Sequence, residues 1–100
     1  MPYNILIQIP DSIRDYGPLL KDFFNGMIHK LDKNSHKETP TKETLHEIMD
    51  LLVEEITEFE TQIAEDKFDR NSLVELMDQA NFSFLAYVAL RLQGVKDEPK

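Results

Sequence analysis

The sequence contains no cysteine, few basic residues and no long apolar run. Without cysteine, disulfide bonds, thiolate zinc sites and a cysteine nucleophile are all excluded, so stability must come from packing. Eleven basic residues against nineteen acidic ones give a net charge of −8. This charge disfavours a nucleic-acid partner, because phosphate backbones are bound by lysine and arginine. An acidic chain can still bind a phosphorylated small molecule through divalent cations between its carboxylates and the phosphates.

The beginning of the chain lacks the basic leader and the apolar run of a signal peptide, and no later segment is long and apolar enough to span a membrane. We therefore expect a cytoplasmic protein with no membrane partner. The 100 residues are the size of one small domain, and 41% of them are hydrophobic, which favours a folded chain. Because a small domain buries a small fraction of its surface, self-association is favoured as well.

Hydrophobic spacing predicts an all-α fold with three main helices in a single domain over residues 1–100. The helices are expected at about Pro18–Asp32, from a Thr41 cap to about Glu65, and at about Asn71–Gln93. Residues 1–10 alternate weakly between two prolines and predict a short extended arm. Gly94 is expected as the C-cap of the third helix, and residues 95–100 are expected to fray.

Six apolar side chains of the second helix fall within about 60° of one another on a helical wheel and are expected to face the core. They are Leu45, Ile48, Leu52, Ile56, Phe59 and Ile63. Glu55 lies about 20° from Ile48, at the edge of this stripe and away from the opposite side of the helix. Glu58 is one further step round the helix, beside Leu51. Two carboxylates are therefore expected near the core.

The third helix carries apolar residues in nearly every direction, which is typical of a buried helix. Glu75, Asp78 and Asn81 are set into it at intervals of three residues. Burying unpaired carboxylates is costly, and converging carboxylates also repel each other. Protonation or a basic partner would compensate, but this helix offers only Arg91, far from Glu75 along the axis. The remaining explanation is a divalent metal, and Mg²⁺ prefers carboxylate and water oxygens.

Both acidic motifs also have ordinary structural explanations. An EExxE run alone is usually a solvated helix face. Ser72 to Glu75 fits an S-x-x-E capping box, so Glu75 is alternatively a residue that closes the start of the third helix. Asp78 and Asn81 have no such alternative, and the apolar surroundings of the two motifs together favour a metal site.

The two motifs are EEITE at Glu54–Glu58 and ELMD at Glu75–Asp78, with sixteen residues between them. This pattern resembles the EExxE, spacer, ExxD signature of the MazG-like, all-α nucleoside triphosphate pyrophosphatases, a superfamily that also includes dimeric dUTPases and dCTP pyrophosphatases. The resemblance covers the second and third helices. It implies a helical bundle completed by homo-oligomerisation, as a homodimer or homotetramer.

The activity that the resemblance implies is hydrolysis of a (deoxy)nucleoside triphosphate to the monophosphate and pyrophosphate. It assigns Mg²⁺, for which Mn²⁺ can substitute, to Glu55, Glu58, Glu75 and Asp78. Glu54, the first acid of the motif, is a candidate to bind a further ion or to help activate water. Glu54 or Glu55 is the expected proton acceptor for the attacking water, and the sequence does not choose between them.

Basic residues concentrate at the end of the first helix and in the following loop. Lys30, Lys33, His36 and Lys37 are the candidates for binding nucleotide phosphates, since lysine acts as a point charge and a loop can close over a ligand. The alternative is that these cations only complement the helix dipole. Asn81 is a candidate to bond a base or sugar edge. Its D-Q-A-N run is reminiscent of a phage and bacterial branch that acts on purine deoxynucleotides, dATP and dGTP.

A second class of function is also consistent with these residues. The chain is alternatively a non-catalytic acidic helical protein, such as a regulator, whose carboxylates bind a basic partner. Mg²⁺ with nucleotide would then leave its thermal stability unchanged, whereas a metal enzyme would be stabilised by mass action.

Overall fold

The computed structural model describes residues 2–34, 40–41 and 43–96, and within these ranges the chain is all-helical with no strand. A 3₁₀ helix, Asp11–Tyr16, leads into three α-helices. The helices are α1 Gly17–Lys33, α2 Leu45–Glu65 and α3 Arg70–Leu92. α3 packs against both α2 and α1. The predicted all-α class and the three main helices are confirmed.

α1 begins and ends close to its predicted bounds. Pro18 lies in the first turn, where its missing N–H leaves no helical hydrogen bond unmade. α1 approaches α3 closely at Gly26, where a Cβ atom would overlap the Sδ atom of Met77. The absence of a side chain at Gly26 therefore lets α1 lie against α3 one turn before Lys30.

α2 begins at Leu45, later than the sequence predicts, and the prediction of a Thr41 cap is wrong. The N-cap residue is Thr44, whose side chain makes no capping hydrogen bond. Its hydroxyl instead accepts a hydrogen bond from the Thr41 amide at 2.9 Å and donates one to the Thr41 carbonyl at 3.0 Å. These two bonds close a turn before the helix. α2 ends at Glu65, and its C-cap residue Asp66 adopts the left-handed conformation with φ 52°.

The start of α3 shows that the capping-box alternative for Glu75 is wrong. Asp69 is the N-cap residue, and its side chain accepts hydrogen bonds from the amides of Asn71 at 2.9 Å and Ser72 at 3.3 Å. The Ser72 hydroxyl in turn accepts a hydrogen bond from the Asp69 amide at 3.0 Å. The capping box therefore runs from Asp69 to Ser72, and Glu75 lies one turn later with no role in it.

The two ends of the described chain are simple. Residues 2–10 form neither helix nor strand and are exposed. At the other end, α3 has Gln93 as its C-cap residue, one position before the predicted Gly94. Gly94 follows with φ 98°, the left-handed conformation that favours glycine after a helix.

The single chain has very little core. Among the residues that the structure describes, the buried apolar side chains are those of Ile48 and Ala89. The predicted core stripe of α2 is therefore partly wrong, because Ile56 is 37% exposed and Ile63 is 53% exposed. The prediction that α3 is buried on all sides is also wrong for the single chain. Large apolar residues of α3 that remain exposed include Leu73, Leu76, Phe84 and Tyr87.

Candidate functional site

The packing of α2 against α3 brings the two acidic motifs into one neighbourhood. Glu55 and Glu58 lie on α2, and Glu75 and Asp78 lie on α3. Burial raises the pKa of Glu55 above its ordinary value of 4.5, and the negative charges of Asp78, Glu58 and Glu75 raise it further. The four carboxylates are thus close enough to interact through their charges, with partly buried Glu55 as the common neighbour.

Glu75 is partly buried and has a defined partner on the other helix. The Nε2 atom of Gln62 donates a hydrogen bond to Oε2 of Glu75 at 2.6 Å. Desolvation raises the pKa of Glu75, and the charges of Glu58, Asp69 and Asp78 act in the same direction. Glu75 is therefore a carboxylate of the α2–α3 interface.

Asp78 forms an ion pair with Lys30 of α1, and both side chains are 26% exposed. The Lys30 charge also acts to lower the pKa of Glu55, although this is the weakest of the influences on that group. Within the helix predicted at about Asn71–Gln93 the one basic residue is Arg91, whereas in the structure the basic partner of Asp78 comes from α1. Lys30, a candidate for binding phosphate, therefore lies against a candidate metal ligand.

The remaining described acidic and basic candidates are Glu54, Glu58 and Lys33. Glu54 and Glu58 are exposed on α2, and Lys33 is exposed as the last residue of α1. Glu58 is nevertheless near enough to raise the pKa of both Glu55 and Glu75. His36 and Lys37 lie outside the residues that the structure describes.

Asn81 is buried between α1 and α3. Its Nδ2 atom donates a hydrogen bond to the carbonyl oxygen of Met27 at 3.3 Å. Its Oδ1 atom is buried without a hydrogen-bond partner in the described part of the chain. The structure therefore places Asn81 in helix packing, with one acceptor atom unused.

The expected Mg²⁺ can be tested against this donor set. Four carboxylates from two neighbouring helices supply the hard oxygen ligands that Mg²⁺ prefers. Within residues 2–34, 40–41 and 43–96, however, no three carboxylate or imidazole side chains converge closely enough to hold a metal ion. Lys30 binds Asp78 and Gln62 binds Glu75, so both carboxylates already have partners. The residue types suit Mg²⁺, but their side chains as the structure places them are not arranged to share an ion.

Gln62 is a site residue that the sequence argument missed. It follows Glu55 by seven residues and Glu58 by four, which places all three on one side of α2. This spacing was available in the sequence. A glutamine on a helix has many ordinary roles, so this spacing alone does not identify Gln62 as a site residue.

α3 has two partly buried carboxylates on one side and several exposed large apolar residues on another. On a helical wheel the exposed Leu73, Leu76, Phe84 and Tyr87 form one stripe, and Glu75 and Asp78 point about 140° and about 160° away from its centre. A soluble helix normally has the reverse arrangement.

None of the three helices in the described ranges is long and apolar enough to cross a membrane. Comparison with known proteins gives no match, since no family model fits the chain and no curated protein or solved structure is similar to it.

Proposed function

We propose that this chain is a Mg²⁺-dependent pyrophosphohydrolase that converts a (deoxy)nucleoside triphosphate to the monophosphate and pyrophosphate, in the manner of the MazG-like enzymes that its motifs resemble. The observation that carries the proposal is Glu55, a partly buried carboxylate whose pKa is raised by burial and by three further carboxylates from two helices. Such a concentration of negative charge is unfavourable without cations. A Mg²⁺-nucleotide supplies them at the place where chemistry would occur.

In this proposal Glu55, Glu58, Glu75 and Asp78 hold the ion. When bound, Mg²⁺ neutralises charge on the phosphates and makes a coordinated water easier to deprotonate. Glu54 is exposed beside Glu55 on α2 and can accept a proton from water. Glu55 is the other candidate, because burial and the neighbouring carboxylates raise its pKa and so favour proton uptake.

The basic residues at the end of α1 would bind the phosphates. Lys30 reaches the acidic group, and Lys33 lies one turn further along the helix. Lys30 pairs with Asp78 and would contribute its positive charge to nucleotide phosphates bound beside these carboxylates. His36 and Lys37 follow in sequence and complete this basic segment. Asn81 stays the candidate to bond a base or sugar, although its side chain is buried between α1 and α3.

We further propose that the active form is a homodimer or homotetramer. The support is the exposed apolar stripe of α3, which needs a partner of matching chemistry. A second copy of the chain presents the same stripe and can meet it across a two-fold axis. The reaction would take place in the cytoplasm, where nucleotides are used.

The second candidate function is a non-catalytic acidic protein that binds a basic partner. The Lys30–Asp78 ion pair favours it, because it shows a basic side chain paired with one of the four carboxylates. In that case the acidic group is a binding surface or a structural feature, and neither Mg²⁺ nor nucleotide would alter the protein.

The proposal is tested by incubating the protein with Mg²⁺ and a panel of canonical and modified nucleoside triphosphates, and by measuring monophosphate and pyrophosphate. We expect turnover, with purine deoxynucleotides as the first candidates. Glu55→Gln and Asp78→Asn should each lower turnover by more than about 10–100-fold. Losses within that range are expected for a residue that only hydrogen-bonds to a metal ligand.

The matched control is Glu60→Gln, the same chemical change at an exposed position of α2. It should retain wild-type turnover. Absence of turnover with every nucleotide, or full activity in both site variants, would contradict the proposal and favour the non-catalytic candidate.

A further inference from the structure

Residues 2–10, the arm, carry large apolar side chains that stay exposed in the described part of the chain. Four of them are between 69% and 99% exposed, namely Tyr3, Ile5, Leu6 and Ile7. No residue of the arm has a charged side chain. Exposing an uncharged apolar segment to water is unfavourable. The arm therefore has the chemistry of a segment that binds an apolar surface.

An apolar groove lies where the 3₁₀ helix meets α1. Its volume is about 340 Å³, and its lining residues are Ile13, Tyr16, Leu19, Leu20 and Phe23. None of the five is charged, and Tyr16 and Leu19 are 63% and 68% exposed. Asp11 and Arg14 of the same 3₁₀ helix pair with each other at 2.6 Å. A segment without charge can therefore bind in the groove through apolar contacts alone.

The arm does not fold back onto the groove of its own chain, since Ile5 and Ile7 remain exposed. Pro10 explains why. Its backbone is extended, with φ −57° and ψ 149°, and its carbonyl accepts a hydrogen bond from the Ile13 amide at 3.1 Å. A residue before proline also avoids the helical conformation, which restricts Ile9. A tight reversal at this point, which would bring the arm to its own groove, is therefore disfavoured.

The surface of the chain leaves room for a contact of the arm in addition to the α3 stripe. The accessible surface is 8783 Å², whereas a compact monomer of 11.7 kDa exposes about 5,900 Å². The difference is larger than the about 1,200–2,000 Å² that a specific interface buries over both partners together. Seven extended residues also reach about 23–25 Å, so the arm is long enough to cross to a neighbour.

We propose that the arm of one copy binds in the groove of a second copy, whose arm binds in the first groove in return. This exchange across a two-fold axis covers both arms and both grooves and closes on two copies. Ile5, Ile7 and Ile9 share one side of an extended segment and face the groove, while Gln8 faces water. Because each copy carries a net charge of −8, an uncharged contact also keeps repulsion low. The contact uses neither the carboxylates nor the α3 stripe, so it does not rest on the proposed activity.

Disulfide cross-linking tests the exchange, because the chain has no cysteine of its own. Ile5→Cys or Ile7→Cys is made in one full-length chain and Leu19→Cys in another, and the two are mixed and treated with a mild oxidant. We expect a linked heterodimer to form at least about tenfold faster than in the control, since a bound arm holds its thiol at an effective concentration on the order of millimolar. The control replaces Leu19→Cys by Leu92→Cys, a position that is 65% exposed against 68% for Leu19.

The double variant Ile7→Cys/Leu19→Cys separates exchange from docking within one chain. Exchange gives covalent dimers of this variant. Docking of the arm on its own groove gives an internally linked monomer, which would overturn the inference. Cross-linking to Leu19→Cys that is no faster than to Leu92→Cys, at both arm positions, would overturn it as well.

A pair of charge substitutions tests the contact in the unlinked protein. Ile7→Glu buries a carboxylate in the groove and should raise by at least about tenfold the protein concentration at which the oligomer dissociates. Light scattering on dilution measures this concentration. Gln8→Glu introduces the same charge on the opposite side of the arm and should leave the concentration unchanged. Equal dissociation of the two variants would contradict the exchange.

These experiments do not measure turnover, so they separate the exchange from the proposed activity. Failure of the cross-link leaves the proposed activity standing. Absence of turnover in a protein that cross-links as expected leaves the exchange standing.

Discussion

Glu55 experiences burial and the charges of neighbouring carboxylates, and these influences act in the same direction. Both raise its pKa above the ordinary value of 4.5, so the folded chain binds this proton more tightly than the unfolded chain does. The free energy of unfolding contributed by Glu55 is therefore highest below the unfolded-state pKa. It falls as the pH rises through the folded-state pKa. Glu75 contributes with the same sign.

Glu55→Gln should consequently stabilise the metal-free protein at neutral pH. The amide is always neutral, so the substitution removes the repulsion from Asp78, Glu58 and Glu75. Each kcal/mol of relief corresponds to a rise of about 4–8 °C in the melting temperature of a domain of this size. The measurement is the melting temperature of both proteins in a chelator from pH 4 upward. The gain should be present near pH 7 and should shrink toward acid pH.

Lys30→Met should change the melting temperature in the opposite direction in the same experiment. It removes the cation that pairs with Asp78, so the carboxylate is left partly buried without its partner. We expect a lower melting temperature in the chelator. Equal melting temperatures of Glu55→Gln and the wild type at neutral pH would contradict the account of mutual repulsion.

At the scale of helices, the sequence predicts what depends on local periodicity. The spacing of apolar residues located α1 and α3 within one residue at their starts, because a helix repeats every 3.6 residues whatever surrounds it. The ends of the helices depend on which of several capping groups is used. Thr44 forms a turn with Thr41. Asp69 is the N-cap residue of α3, whereas the alternative capping box in the sequence began at Ser72.

Contacts between helices could not be predicted in this way. A helical wheel shows which residues of one helix share a face, and it correctly placed Glu55 and Asp78 near the interior. It contains no information about Lys30, which lies 48 residues from Asp78 in sequence. The partners of both Glu75 and Asp78 therefore became visible only when the helices were assembled.

At the scale of the molecule, the single chain exposes more surface than a compact monomer of the same mass. Its accessible surface is 8783 Å² for a mass of 11.7 kDa. A compact monomer of that mass exposes about 5,900 Å². The radius of gyration is 15.6 Å, against about 13 Å for a compact domain of 100 residues. Residues 2–10, which are exposed, and the exposed apolar residues of α3 both contribute to the difference.

This excess predicts that the protein self-associates through the stripe. Light scattering after gel filtration should give the mass of a dimer or tetramer. Phe84→Glu places a charge within the stripe and should shift the protein to lower mass and lower melting temperature, since an unpaired charge would be buried at the interface.

Leu92→Glu is the control for that experiment. Leu92 is an exposed apolar residue of the same helix, but it lies outside the stripe. This variant should keep the wild-type mass. A wild-type protein that is monomeric and well folded would show that the exposed stripe does not need a second copy.

The claim that the inward carboxylates hold Mg²⁺ is tested most directly by the melting temperature with and without Mg²⁺. An ion at about 100 times its dissociation constant stabilises the folded state by about 2.7 kcal/mol, which corresponds to a rise of about 10–20 °C. We predict a rise of this kind for the wild type and for Glu60→Gln, and little or none for Asp78→Asn. The same melting temperature in Mg²⁺ and in chelator for the wild-type protein would contradict the account.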